Sequence, residues 1–145
     1  MAPTFSTGQF LIVDRISYRF ESPKRGDVIV FEYPKSPGNY YIKRIIGLPG
    51  ETVRISSGKV TIINDANPTG LALNETYIDP SHASDDNSEI TLGKTEYFVM
   101  GDNRSQSSDS RFWGPLDDRF IVGRPIIRLF PVTTVSILPG SEKTK

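Results

Sequence analysis

Tyr40-Tyr41-Ile42-Lys43-Arg44-Ile45-Ile46-Gly47-Leu48-Pro49-Gly50 has the apolar, β-branched makeup of a strand buried in a core, and Gly-Leu-Pro-Gly ends it in a turn. A lysine stands in its middle. Desolvating an ammonium without a partner is costly, so an ordinary core strand does not hold one. Either Lys43 points to solvent from the polar face, or it is buried for a purpose. Periodicity alone favours solvent, because most strand lysines are solvated. The rest of the chain reverses that balance.

On the N-terminal side of this strand, Asp27 to Tyr33 alternates through Val28, Val30 and Tyr33 and reads as a second strand. Gln9 to Tyr18 reads as the first, with a dense apolar centre at Phe10-Leu11-Ile12-Val13 that is expected in the core; the other reading is an apolar rim dipping into lipid. On the C-terminal side, Thr52 to Ser56 and Lys59 to Ile63 form a hairpin around Ser57-Gly58. Asn64 to Lys94 is polar and irregular and reads as an excursion from the core, with a short strand near Asn74 to Ile78. Thr95 to Met100 is a strand, and Phe120 to Phe130 and Thr133 to Leu138 close the chain, parted by Pro131. The lead-in Met1 to Gly8 is irregular and the tail Ser141 to Lys145 is frayed. There is no internal repeat and no long amphipathic helix. These strands, with 12 glycines and 11 prolines, predict an all-β, mostly antiparallel fold in a single domain over residues 1–145.

Composition removes several kinds of chemistry. The chain has 17 basic and 17 acidic residues, so no charge excess points to nucleic acid. It has no cysteine, which excludes thiol catalysis, disulfides and thiolate metal sites. Its single histidine, His82, lies in the polar loop from Asp79 to Asp85 and reads as a surface residue, which argues against a histidine triad or a multi-histidine metal site. No cofactor and no metal is expected. No apolar run approaches the roughly 18 residues that span a bilayer, and no signal peptide is visible.

The loop Gly101-Asp102-Asn103-Arg104-Ser105-Gln106-Ser107-Ser108-Asp109-Ser110-Arg111-Phe112-Trp113-Gly114 is unusual for a small β domain. Its arginines and aspartates can hold it rigid through charge-assisted hydrogen bonds, and Phe112 and Trp113 are expected to anchor its end in the core. One helical turn is expected near Ser107 to Ser110, because Ser and Asp cap helices well.

Four stretches now stand in order: Met1-Ala2-Pro3-Thr4-Phe5, Arg25-Gly26-Asp27-Val28-Ile29-Val30-Phe31, Tyr41-Ile42-Lys43-Arg44 through Gly47-Leu48-Pro49-Gly50-Glu51, and the loop from Gly101 to Gly114. Together they resemble the successive sequence boxes of bacterial type I signal peptidases and cover most of the chain. Asn74 to Ile78 and Val122-Gly123-Arg124 fit weaker connecting patterns of that family. The resemblance implies a membrane-anchored serine endopeptidase with a Ser/Lys dyad, cutting signal peptides from exported preproteins after small residues at an Ala-x-Ala type site. It implies a catalytic domain on the outer face of the cell membrane, with signal peptides and the lipid surface as partners, no nucleic acid, and a monomeric state. By resemblance Lys43 is the catalytic lysine and Ser107 the serine that orients its amine. Arg44, Asp102, Asp109 and Arg111 brace the site, and Met1, Phe5, Tyr41 and Ile42 line the substrate cleft.

One departure matters. The family nucleophile is the serine immediately before the Met of its first box, and that Met is residue 1 here. The nucleophile and the upstream membrane segment are thus absent from these residues, and Ser6 does not replace the serine. The expectation is a catalytic domain without its attacking atom. The chemistry suits the rest. A serine hydroxyl needs a base, and a lysine serves only when neutral. Bringing its pKa from about 10.4 to roughly 7–8 costs about 4 kcal/mol in the charged form. Desolvation supplies that, and the apolar Ile42, Ile45 and Ile46 are the neighbours expected to do it. Arg44 turns the other way in a strand and can take up Asp102, keeping that carboxylate from Lys43. The alternatives are a self-cleaving repressor-type Ser/Lys protease and a non-catalytic β module that binds extended peptides.

Overall fold

The computed structural model describes Met1, residues 11–128 and residues 136–137. The lead-in from residue 2, Gln9 and Phe10, residues 129–135 and the tail from residue 138 lie outside the described residues. Eleven strands are present among the described residues: β1 Leu11–Asp14, β2 Val28–Glu32, β3 Tyr40–Gly47, β4 Thr52–Ser56, β5 Lys59–Asn64, β6 Asn67–Ala72, β7 Ser88–Thr91, β8 Glu96–Met100, β9 Leu116–Asp117, β10 Ile121–Arg128 and β11 Ser136–Ile137. The larger sheet runs β1-β10-β2-β3-β8-β9, with β11 paired to β10, and the smaller runs β6-β5-β4-β7. Every ladder is antiparallel. The one α-helical turn among the described residues, α1, covers Ser110–Trp113.

The two faces of β3 build two cores. Ile46, with Phe98 and Met100 of β8, packs against Val53, Ile55, Val60, Ile62 and Leu92 and joins the two sheets. Ile45, with Ile29, Phe31, Tyr97, Val99 and Leu116, forms a second core on the other face of the larger sheet. A strand covered on both sides reads as an unbroken apolar run, which is why Ile45-Ile46 and Tyr97 to Met100 do. The β4–β5 hairpin turns at Ser57 and Gly58, with φ of 47° and 72°. Two residues at positive φ are what a type I′ turn requires.

Three expectations are corrected. The first strand ends at Asp14 rather than Tyr18, because the Asp14 carboxylate accepts from the backbone N–H of Ile16 and Ser17 and turns the chain into a 3-10 turn, Ser17–Arg19. The apolar centre of that strand is not core: Ile12 is 41% exposed, and Leu11 and Val13 are half-buried. Residues Asn74 to Ile78 form no strand. Residues 64–94 instead supply β6 and β7, the two edges of the smaller sheet, and Leu92 of its core.

Candidate active site

Lys43 and Arg44 are neighbours in β3 and therefore face opposite sides of the sheet. Arg44 enters the interface between the sheets, where it is fully buried. There its Nε and Nη2 donate to the two oxygens of Asp102 at 2.9 and 2.8 Å, and its Nη1 donates to the Gly26 carbonyl at 2.9 Å. The Tyr77 ring stacks on the guanidinium at 4.0 Å. A bidentate pair of this kind satisfies a buried carboxylate as well as a buried cation.

Lys43 lies on the other face, half-buried. It stands directly across the ladder from Ile29 and two residues from Ile45, with the Tyr41 ring centroid 6.0 Å from Nζ. The neighbours that dry the amine on its own face are thus Ile45 and Ile29; alternation puts Ile42 and Ile46 on the Arg44 side. Beside Lys43, Gly101 follows the last residue of β8. A Cβ on Gly101 would lie 2.2 Å from Ser107 Oγ and 3.6 Å from Lys43 Nζ. The hydroxyl and the amine therefore flank a space that only glycine leaves open. Ser107 Oγ is buried and has no hydrogen-bond partner among the described residues. An unmet buried hydroxyl costs about 1–3 kcal/mol.

Arg104, Asp109 and Arg111 set the loop that carries Ser107. Asp109 caps α1 and its Oδ2 accepts from the Gly101 backbone N–H at 3.0 Å, while Ser110 Oγ accepts from Val99 N–H at 3.0 Å. Arg111 donates to both oxygens of Asp109 at 2.8 and 2.9 Å, to the Arg104 carbonyl at 2.8 Å and to the Ser107 carbonyl at 3.4 Å. Its other amino group binds Asp86 and Ser84 Oγ. The helical turn starts later than expected, at Ser110. Phe112 does not anchor the loop: it is 69% exposed. Trp113 alone does so, with its ring 5.8 Å from both Phe31 and Tyr33.

The electrostatics follow from these bonds. Burial pushes the Lys43 amine below its ordinary pKa, and Arg111 adds to this, while Asp109 and Asp102 pull the other way. Both opposing carboxylates are engaged by arginines, Asp102 by Arg44 and Asp109 by Arg111, so burial prevails. The Met1 amino group is also depressed, first by burial and then by the charge of Lys43, while Asp102 raises it. Met1 therefore stands at the same site.

The structure brings together Met1, Tyr41, Lys43, Asp102, Ser107, Asp109 and Arg111, with Arg44 behind. Ile42 is half-buried on the Arg44 face, and Phe5 lies outside the described residues. Sequence reasoning missed Glu75, Tyr77 and Asp86, the last of which carries no motif at all. His82 is half-buried rather than on the surface. Among the described residues no helix is long and apolar enough to cross a membrane.

An arginine-braced loop that seats a hydroxyl beside a dried lysine, on a two-sheet antiparallel β fold, defines a class before any name. The family described as signal peptidase, peptidase S26, matches residues 1–130, and the chain belongs to that family, a class of serine endopeptidases. A signal peptidase I of Leptolyngbya laminosa is 39% identical over 145 residues, covering 95% of this chain and 68% of that protein. A probable signal peptidase I-2 of Synechocystis sp. is 37% identical over 143 residues, and the chain spans 62% of its length. A crystal structure of a signal peptidase I from Enterococcus faecalis superposes with a TM-score of 0.60 at 29% identity, covering 72% of this chain and 97% of that one.

Proposed function

We propose that the protein removes signal peptides from exported preproteins by a Ser/Lys dyad in which Lys43 is the general base. The observation that carries this reading is a half-buried lysine with a lowered pKa whose two nearby carboxylates are each held by an arginine. Such an amine is neutral at a lower pH than an ordinary lysine and can take a proton from a serine hydroxyl. The nucleophile is the serine that the family pattern places immediately before Met1. The charge of Lys43 acts on the Met1 amino group, which supports this reading. When substrate is bound, Ser107 Oγ, which has no hydrogen-bond partner among the described residues of the free chain, accepts a hydrogen bond from the amine and aims its lone pair.

Substrate adds as an extended strand, with alternate side chains entering pockets. Met1 and Tyr41, on the Lys43 side, line that cleft, and small pockets there select Ala-x-Ala type sites. The domain works at the outer face of the cell membrane. Ile12, Ile16 and Phe20, on β1 and the turn after it, are 41%, 65% and 84% exposed, and they supply an apolar rim for the lipid surface.

The test is a chain with serine ahead of Met1 and its native upstream segment, assayed on an Ala-x-Ala peptide. Cleavage after the second alanine is expected. Lys43→Ala is expected to abolish it, and Ser107→Ala to reduce it by about tenfold to a hundredfold. Undiminished turnover by Lys43→Ala defeats the dyad, and an unchanged rate in Ser107→Ala removes that serine from the mechanism.

A further inference from the structure

Glu75 and Tyr77 lie on the connection between β6 and β7, outside every strand. Glu75 takes the Arg104 guanidinium with both oxygens, and the two side chains are only 9% and 2% exposed. The same guanidinium donates from Nε to the Gly101 carbonyl at 3.1 Å. Tyr77 donates its hydroxyl to Glu75 Oε1 at 2.8 Å. The Tyr77 ring also lies 4.0 Å from the guanidinium of Arg44, which holds Asp102. One short segment thus grips both residues of the turn that ends β8. It holds the Gly101 carbonyl through Arg104 and the Asp102 carboxylate through Arg44. Gly101 is the residue whose missing Cβ leaves room for Ser107 Oγ beside Lys43 Nζ.

We propose that Glu75, backed by Tyr77, is a positioning residue that sets the distance between Lys43 and Ser107 by clamping the Gly101-Asp102 turn. This rests on the reading of Lys43 and Ser107 as the working pair. The physical argument is the cost of a lone buried cation. Without the Glu75 carboxylate, Arg104 keeps a charge that the interior cannot accommodate. The guanidinium turns toward water and lets go of the Gly101 carbonyl. The turn then loosens, and water reaches the amine. Glu75 touches no reacting atom, so its effect passes entirely through Arg104. The charges acting on Lys43 are Asp109, Arg111 and Asp102, and the Met1 amino group stands beside it. Taking away the negative charge of Glu75 would by itself lower the Lys43 midpoint, so an upward move on removal of Glu75 reports geometry.

The experiment follows the Lys43 side chain by NMR titration in residues 1–145, which needs no nucleophile. It compares the parent with Glu75→Gln, Glu75→Asp and Tyr77→Phe, and measures kcat and KM in the same variants with serine ahead of Met1. Glu75→Gln is expected to move the Lys43 midpoint up toward that of free lysine. It is also expected to lower kcat about tenfold or more while KM changes less than about twofold. Glu75→Asp keeps the charge and recovers most of both, and Tyr77→Phe gives a smaller change in the same direction, which decides the matter even if Glu75→Gln does not fold. A Glu75→Gln protein with lowered thermal stability but unmoved Lys43 titration and kcat overturns the proposal. Turnover surviving in Lys43→Ala is a different result: it removes the dyad, while the NMR titration still decides whether Glu75 governs the environment of residue 43.

Discussion

At the scale of a residue, the dried amine of Lys43 has a thermodynamic signature of its own. Burial holds its pKa below 10.5 in the folded chain. Between that lowered value and 10.5 the unfolded chain binds more protons than the folded one, so stability rises with pH across this window. Below the window both forms are protonated, and the folded state carries the whole desolvation penalty of the charge. Lys43→Met replaces the amine with an uncharged side chain of similar reach. It is expected to be more stable than the parent at neutral pH, with the gap closing as the pH approaches 10.5. Urea denaturation at pH 7 and near pH 10 measures this. A variant less stable than the parent at pH 7 contradicts the buried-amine reading.

At the scale of an element, the β4–β5 hairpin does more than turn the chain. Its tip abuts the segment that holds Arg111: Gly58 N–H donates to the Asp86 carbonyl at 3.0 Å, and Ser57 N–H to Asn87 Oδ1 at 2.9 Å. Gly58 has φ of 72°, and a Cβ there would stand 1.9 Å from the Ser84 carbonyl oxygen. That contact is backbone, so no side chain can swing away. Gly58→Ala is expected to cost about 2–3 kcal/mol, from the strained φ and the forced shift of Ser84. Denaturant unfolding measures it, and a loss below about half a kcal/mol, the level of a neutral surface change, contradicts this packing.

At the scale of the whole molecule, the two sheets meet through the apolar core around Ile46 and through polar ties at its rim. Glu51, in the turn between β3 and β4, accepts from Leu48 N–H, from Arg25 before β2 and from Asn64 at the end of β5. Burial favours its neutral form, but these hydrogen bonds prevail and hold its carboxyl below the usual range. Elsewhere the molecule leaves apolar side chains uncovered, Ile16 and Phe20 after β1 among them. If these meet lipid, residues 1–145 are expected to float with phospholipid vesicles in detergent-free buffer, and Ile16→Ser with Phe20→Ser to reduce the floating fraction. Recovery of the parent only in the bottom fraction counts against a lipid-facing rim.

The sequence by itself determined which way side chains face about the site, because side-chain alternation is local. Lys43 and Arg44 must part to opposite faces wherever that strand is placed, and a buried arginine must find a carboxylate such as Asp102. The Ser57-Gly58 turn was equally legible, since its backbone angles depend on two residues. Only the tertiary structure decided the remainder. The polar strands β6 and β7 show no clear alternation because they are sheet edges with largely exposed side chains, Leu71 among them at 45%. Which of Phe112 and Trp113 goes inward depends on Phe31 and Tyr33, some 80 residues earlier in the chain. The grip of Glu75 on Arg104 and of Asp86 on Arg111 spans 29 and 25 residues, and no local period encodes a pairing made by folding one sheet against another.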